Sequence, residues 1–155
     1  MKHDFDTSIV NIADDFYEAY LRCIEGKNLT IDEYNRTCYK VVNVPAIVNG
    51  AFAMELYLKS VSSVSEKELK QKRHSLKALF LTLEQSTQDD IRKSMESKLN
   101  GRFTFDECLK GINHAFVFWR YIHKQQNFGF GLNNTLLVLP IFLETIRDTV
   151  KRYRQ

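Results

Sequence analysis

Apolar residues recur at three- and four-residue steps through most of this 155-residue chain, the period of amphipathic helices. In "DTSIVNIADDFYEAYLRCIEG" the stripe is Ile9, Ile12, Phe16, Ala19, Tyr20 and Cys23, and Gly26 is a natural stop. "TIDEYNRTCYK" interrupts the rhythm. There Thr30 stands three residues before Glu33, the spacing of a capping box, so the stretch reads as a short helix or an excursion. Pro45 suits the first turn of the next helix, which should run to about Val61. Ile47, Met54, Leu58 and Val61 share one of its faces, and Val48, Phe52 and Leu56 form a second. A helix apolar on two sides is expected at the centre of a fold, with neighbours on both.

Beyond it, "SVSEKELKQKR" is polar and reads as an exposed, partly helical connection. "HSLKALFLTL" predicts a short apolar helix. "STQDDIRKSMESKLNG" predicts another, with Ser86 or Thr87 near its start and Gly101 past its end. Thr104 stands three residues before Glu107, a second capping-box pattern. It opens a helix whose stripe is Leu109, Ile112, Phe116, Trp119 and Ile122 or His123. "NFGFGLNN" is a loop by its glycines and asparagines. A last helix spans about Thr135 to Arg152, with Pro140 at its true start or at a kink. No internal repeat and no low-complexity tract divides the chain, so residues 1–155 are read as one domain. The expected architecture is an all-α, antiparallel helical bundle of about five to six helices.

Composition narrows the function classes. A net charge of +3 permits RNA without requiring it. Cys23, Cys38 and Cys108 are odd in number and lack CxxC spacing, so they read as small core or near-surface thiols in a reducing compartment. HExxH, paired His/Cys, GxGxxG and GKS/GKT patterns are all missing, so neither a metal nor a cofactor is expected. The longest apolar run, "LLVLPIFL", has eight residues, far below the ~20 of a membrane span. With no apolar leader at its start, the chain is expected to be cytoplasmic, without a membrane partner.

Three polar insertions stand out against this background. In "AFAMELYLKSV", Glu55 and Lys59 are spaced i, i+4 with the acid first, the favourable order for a helical ion pair. Stranding either charge in a core would cost several kcal/mol, so each needs a partner or, for Lys59, a route to water. His74, between "KQKR" and the apolar helix, is expected to take a local hydrogen bond, with Glu55 a candidate partner. These three residues read as a polar core staple or as the floor of a pocket. In "FVFWRYIHK", Arg120 and His123 would share a helix face, with Lys124 four residues on from Arg120. An Arg that clamps phosphate and a His that moves a proton are what phosphodiester cleavage requires. Arg147, Lys151, Arg152 and Arg154 make the chain end basic, which also suits a helix macrodipole.

Taken together, "IVNGAFAMELYLKSV", "RHSLKALFLTL" and "HAFVFWRYIHK" resemble bacterial and phage proteins of the HEPN class, over about residues 45–125. Glu55, Leu56, Leu58 and Lys59 match an A-x-E-L-x-L-K pattern, and His74, Leu76, Leu79 and Phe80 match H-x-L-x-x-L-F. The resemblance implies a helical domain, often dimeric, of toxin–antitoxin, defence and phage-encoded systems. Active members are metal-independent RNases in which an Arg precedes a His by four to six intervening residues, the pairs of two protomers lining a shared cleft. This chain departs from that pattern. Arg120 and His123 are separated by two residues, Arg73 and His74 are adjacent, the nearest Arg upstream of His114 is Arg102, and His3 has none. The expected function is therefore a non-catalytic HEPN-like interaction module, acting as a homodimer or with a protein partner. The alternative is a metal-independent RNase or RNA-binding protein that uses Arg120 and His123 across a dimer cleft. Lys124, Lys151, Arg152 and Arg154 would then contact RNA.

Overall fold

The computed structural model describes residues 7–25, 29–31, 34–35, 37–39, 43–124 and 131–153. Eight α-helices account for most of them: α1 (Thr7–Ile24), α2 (Asn43–Ser60), α3 (Glu66–Lys72), α4 (Leu76–Phe80), α5 (Gln85–Leu99), α6 (Phe105–Ile112), α7 (Ala115–Arg120) and α8 (Leu132–Tyr153). A 3-10 turn follows α7 at Ile122–Lys124. The all-α bundle expected from the sequence is what forms, in more and shorter pieces than five or six helices.

The excursion between α1 and α2 is not a helix. Leu29–Ile31 (β1) pairs antiparallel with Thr37–Tyr39 (β2), and Thr30 lies opposite Cys38. Ile31, which would be the first helical residue after an N-cap at Thr30, lies in the same strand, so Thr30 caps no helix. Glu33, Gly26 and residues 127–130 fall outside the described residues, and the end of "NFGFGLNN" is not loop: Leu132, Asn133 and Asn134 form the first turn of α8, ahead of the expected start at Thr135. At Thr104 the same pattern does cap: its Oγ1 accepts from Glu107 N–H at 3.2 Å, and the Glu107 carboxylate accepts from Thr104 N–H at 2.8 Å.

Helix α2 is the axis of the fold and contacts α1, α4, α7 and α8. Helix α1 lies antiparallel to it. Phe16 meets Phe52 edge-on at 4.6 Å between centroids, and Tyr57 O–H donates to Asp14 at 2.6 Å. The buried stripe of α1 is Val10, Ala13, Tyr17 and Tyr20, while Ile12 is 48% exposed. The helix is therefore rotated by about one residue from the stripe through Ile9 and Ile12, because the tyrosines bury their rings more fully than the isoleucines do. Helix α8 runs parallel to α2. A side chain at Gly50 would meet Tyr20 at 3.1 Å and Leu139 at 3.2 Å, so the glycine lets three helices approach where a Cβ would crowd them. Helix α5 returns antiparallel to α8, with Lys98 Nζ donating to Thr145 Oγ1 at 3.0 Å and Thr87 bonded to the Tyr153 hydroxyl. Pro140 is interior to α8 rather than at its start.

The helix expected from Thr104 to His123 is broken. Helix α6 ends at Ile112 and α7 begins at Ala115. At the break, the Asn113 carbonyl accepts from Leu76 N–H at 3.0 Å, a donor at the start of α4. That diversion links two segments far apart in sequence and sets up the site.

Candidate functional site

The buried acid on α2 has two partners. Glu55 is 1% exposed; its Oε1 accepts from Lys59 Nζ at 2.6 Å and its Oε2 meets His74 Nδ1 at 2.9 Å. The partners reach outward, with 25% of the Lys59 side chain and 42% of the His74 side chain exposed. The charge that could not be hydrated is thus the one held on both oxygens, while the cation and the imidazole keep contact with water. A carboxylate oxygen accepts, which places a proton on His74 Nδ1 and, in the neutral ring, leaves Nε2 with its lone pair. The ring also rests against Phe116, at 4.8 Å between centroids. Phe116 stacks on Phe52 at 4.8 Å, and Phe52 meets Phe16, so a row of rings ties His74 to α1.

His74 sits in a strained turn. Ser75 N–H donates to the Lys72 carbonyl at 3.2 Å, closing a β-turn whose first central residue, Arg73, has φ 47° and ψ −123°. Those angles are the type II′ position that glycine normally fills. A non-glycine residue there costs on the order of 1–3 kcal/mol and persists only where its surroundings over-determine it. Both ends of the turn are fixed. On one side is the Glu55–His74 bond. On the other, Asn113 Oδ1 accepts from Ser75 Oγ at 2.9 Å and from Lys77 N–H at 2.8 Å. Ser75 Oγ in turn accepts from Ala78 N–H at 3.2 Å. With Leu76 N–H on the Asn113 carbonyl, the first three donors of α4 are all satisfied, two of them by one residue from the α6–α7 junction.

The turn forms one wall of an open cleft of about 520 Å³. Lys72, Arg73 and His74 line it from the turn, and His114, Val117 and Phe118 from the junction and α7. The Asn113 amide is oriented by the donors on its Oδ1, so its Nδ2 donates to His114 Nε2 at 3.0 Å. That places the His114 proton on Nδ1. The cleft therefore joins two imidazoles of fixed tautomer to a guanidinium and an ammonium, beside a partly apolar wall.

The other pair singled out in the sequence does not assemble. Arg120 ends α7 and His123 lies in the 3-10 turn, so they no longer share a helix face. Among the described residues no hydrogen bond, ion pair or ring contact joins them. The Arg120 guanidinium lies over Tyr121 at 5.3 Å and Phe116 at 5.7 Å, and Lys124 lies over Tyr121 at 5.6 Å. The basic residues named as RNA contacts are spread along the chain's fold. Thr135 shares a depression with Trp119, next to Arg120, whereas Arg152 is a further ~25 Å along α8 by helical rise. Arg152 donates to Thr149 Oγ1 at 3.1 Å, Lys151 is half-buried, and Arg154 falls outside the described residues. Among the described residues no group of three or more His, Cys, Asp or Glu could hold a metal ion. Burial pushes the Cys108 thiol up to about 11, which leaves it protonated and inert at neutral pH. Among the described residues no helix is long and apolar enough to cross a membrane.

The chain matches no protein-family model, no characterised protein and no solved structure. The site therefore rests on its own geometry. Lys72, Arg73, Asn113 and His114 are the members that spacing did not point to. The signal for Arg73 was its place beside His74 in "KRHS". Asn113 carried no local signal, because its partners Ser75 and Lys77 lie 38 and 36 residues away, and His114 is brought to the turn only through that junction.

Proposed function

We propose that this chain is a non-catalytic, HEPN-like helical interaction module. The observation that carries the reading is that Arg120 ends α7 while His123 lies in the 3-10 turn after it, with no hydrogen bond, ion pair or ring contact between them among the described residues. The acid–base residues that do meet are Glu55, Lys59 and His74, and the acid among them spends both oxygens on its neighbours. A carboxylate so engaged fits an anchoring role better than proton transfer to a substrate. The motif resemblance supports a context in toxin–antitoxin, defence or phage systems, with a second copy or another protein as partner.

The test is an RNA-cleavage assay of the purified chain beside His123→Ala and Arg120→Ala, on single-stranded and hairpin RNA without added metal. The reading predicts that neither substitution lowers whatever cleavage is seen. RNA cleavage lost in both variants would overturn it in favour of a ribonuclease acting across two copies.

A further inference from the structure

We infer that the cleft between the Lys72–Ser75 turn and α7 is a binding site for a small phosphate monoester carried on an apolar or aromatic body. The inference goes beyond the interaction-module reading and stands apart from it, since it concerns neither Arg120 nor His123. Four residues with cationic or proton-bearing side chains line the cleft: Lys72, Arg73, His74 and His114. Among the described residues no acidic residue lines it. The nearest buried acid, Glu55, is screened from the cleft by its own pairing with Lys59 and His74.

The donor set identifies the anion. A carboxylate offers two oxygens, and a bidentate guanidinium alone would occupy both. The three terminal oxygens of a phosphate monoester give work to a guanidinium fork, an ammonium and His114 Nδ1–H together. His74 Nε2, the lone-pair nitrogen of its ring, accepts from a phosphate hydroxyl or, once protonated, donates to a phosphate oxygen. Val117 and Phe118 supply an apolar wall beside these groups, and about 520 Å³ is the volume of a small-ligand pocket.

The backbone gives a separate reason. Glycine would relieve the turn at φ 47°, yet an arginine occupies it, next to a histidine whose orientation is fixed through α2. Strain held by bonds from two distant elements is what a preorganised cation requires, and stability alone would favour its removal.

The experiment is a titration of the full chain with phenyl phosphate at low salt, followed by the His74 and His114 imidazole resonances, with inorganic phosphate and benzoate as comparisons. Saturable shifts at both histidines are expected, with phenyl phosphate the tightest of the three probes. Arg73→Ala should weaken it about tenfold or more, the effect of one lost charge-assisted contact. Arg120→Ala should stay within about twofold. Arg73→Gly separates structure from binding: it should raise the melting temperature while losing affinity as Arg73→Ala does. The inference is overturned if neither histidine responds, if benzoate binds as tightly as phenyl phosphate, or if Arg73→Ala and Arg120→Ala behave alike. RNA cleavage in the assay above would remove the non-catalytic reading and leave these outcomes unchanged.

Discussion

Two stretches of this chain set an arginine within three residues of a histidine, and folding treats them differently. Arg73 and His74 are anchored by residues distant in sequence: Glu55 on α2 holds the imidazole, and Asn113 holds the end of the turn. Arg120 and His123 sit at the end of α7 and in the turn after it, and among the described residues the Arg120 guanidinium lies over the rings of Phe116 and Tyr121, within four residues of it. The first pair is held in a conformation the backbone resists. The second falls where the end of a helix leaves it. Spacing in sequence therefore says little about a site until something distant fixes its side chains.

Substitutions can break this contrast, and the largest effect is expected where a buried charge loses its partner. Lys59→Ala leaves the Glu55 carboxylate buried with one partner and should destabilise by about 3 kcal/mol in urea unfolding. Combining Glu55→Leu with Lys59→Met removes both charges and should recover most of that loss, since an apolar pair of similar volume is often neutral. Asn113→Ala removes the acceptor of Ser75 Oγ and Lys77 N–H and should cost about 2 kcal/mol, the upper range for a lost helix cap. Glu55→Gln is milder, about 1 kcal/mol, because Lys59 and His74 can both turn to water. Arg120→Ala and His123→Ala should each fall within about 0.5 kcal/mol of the parent chain, as exposed positions do. A loss at Arg120 as large as that at Asn113 would erase the distinction between the two regions.

The same contrast marks what the sequence could convey. The bundle was legible because the apolar period is sustained, and α2 was legible as central because two of its faces are apolar. Thr104–Glu107 and Thr30–Glu33 share one spacing, but only the first precedes a stripe that a helix can bury, through Phe105, Cys108, Leu109 and Ile112. Thr30 of the second stands in a strand, opposite Cys38. Glu55 with Lys59 was legible as a pair from its i, i+4 step, and His74 as a candidate third member from its place before an apolar helix. The break at Asn113 was not legible. Its cause is the start of α4, whose open donors take the carbonyl that a continuous helix would have used internally. A single unbroken helix put Arg120 and His123 on one face, and the shortened α7 removes that face.

The orientation of the His74 ring is the point on which the anchored region depends. Long-range nitrogen–proton NMR correlations across that ring, at a pH where it is neutral, test it most directly. The account predicts a proton on Nδ1 and a lone pair on Nε2, with this preference lost in Glu55→Gln. A ring protonated mainly on Nε2, as a freely solvated imidazole prefers, would contradict it.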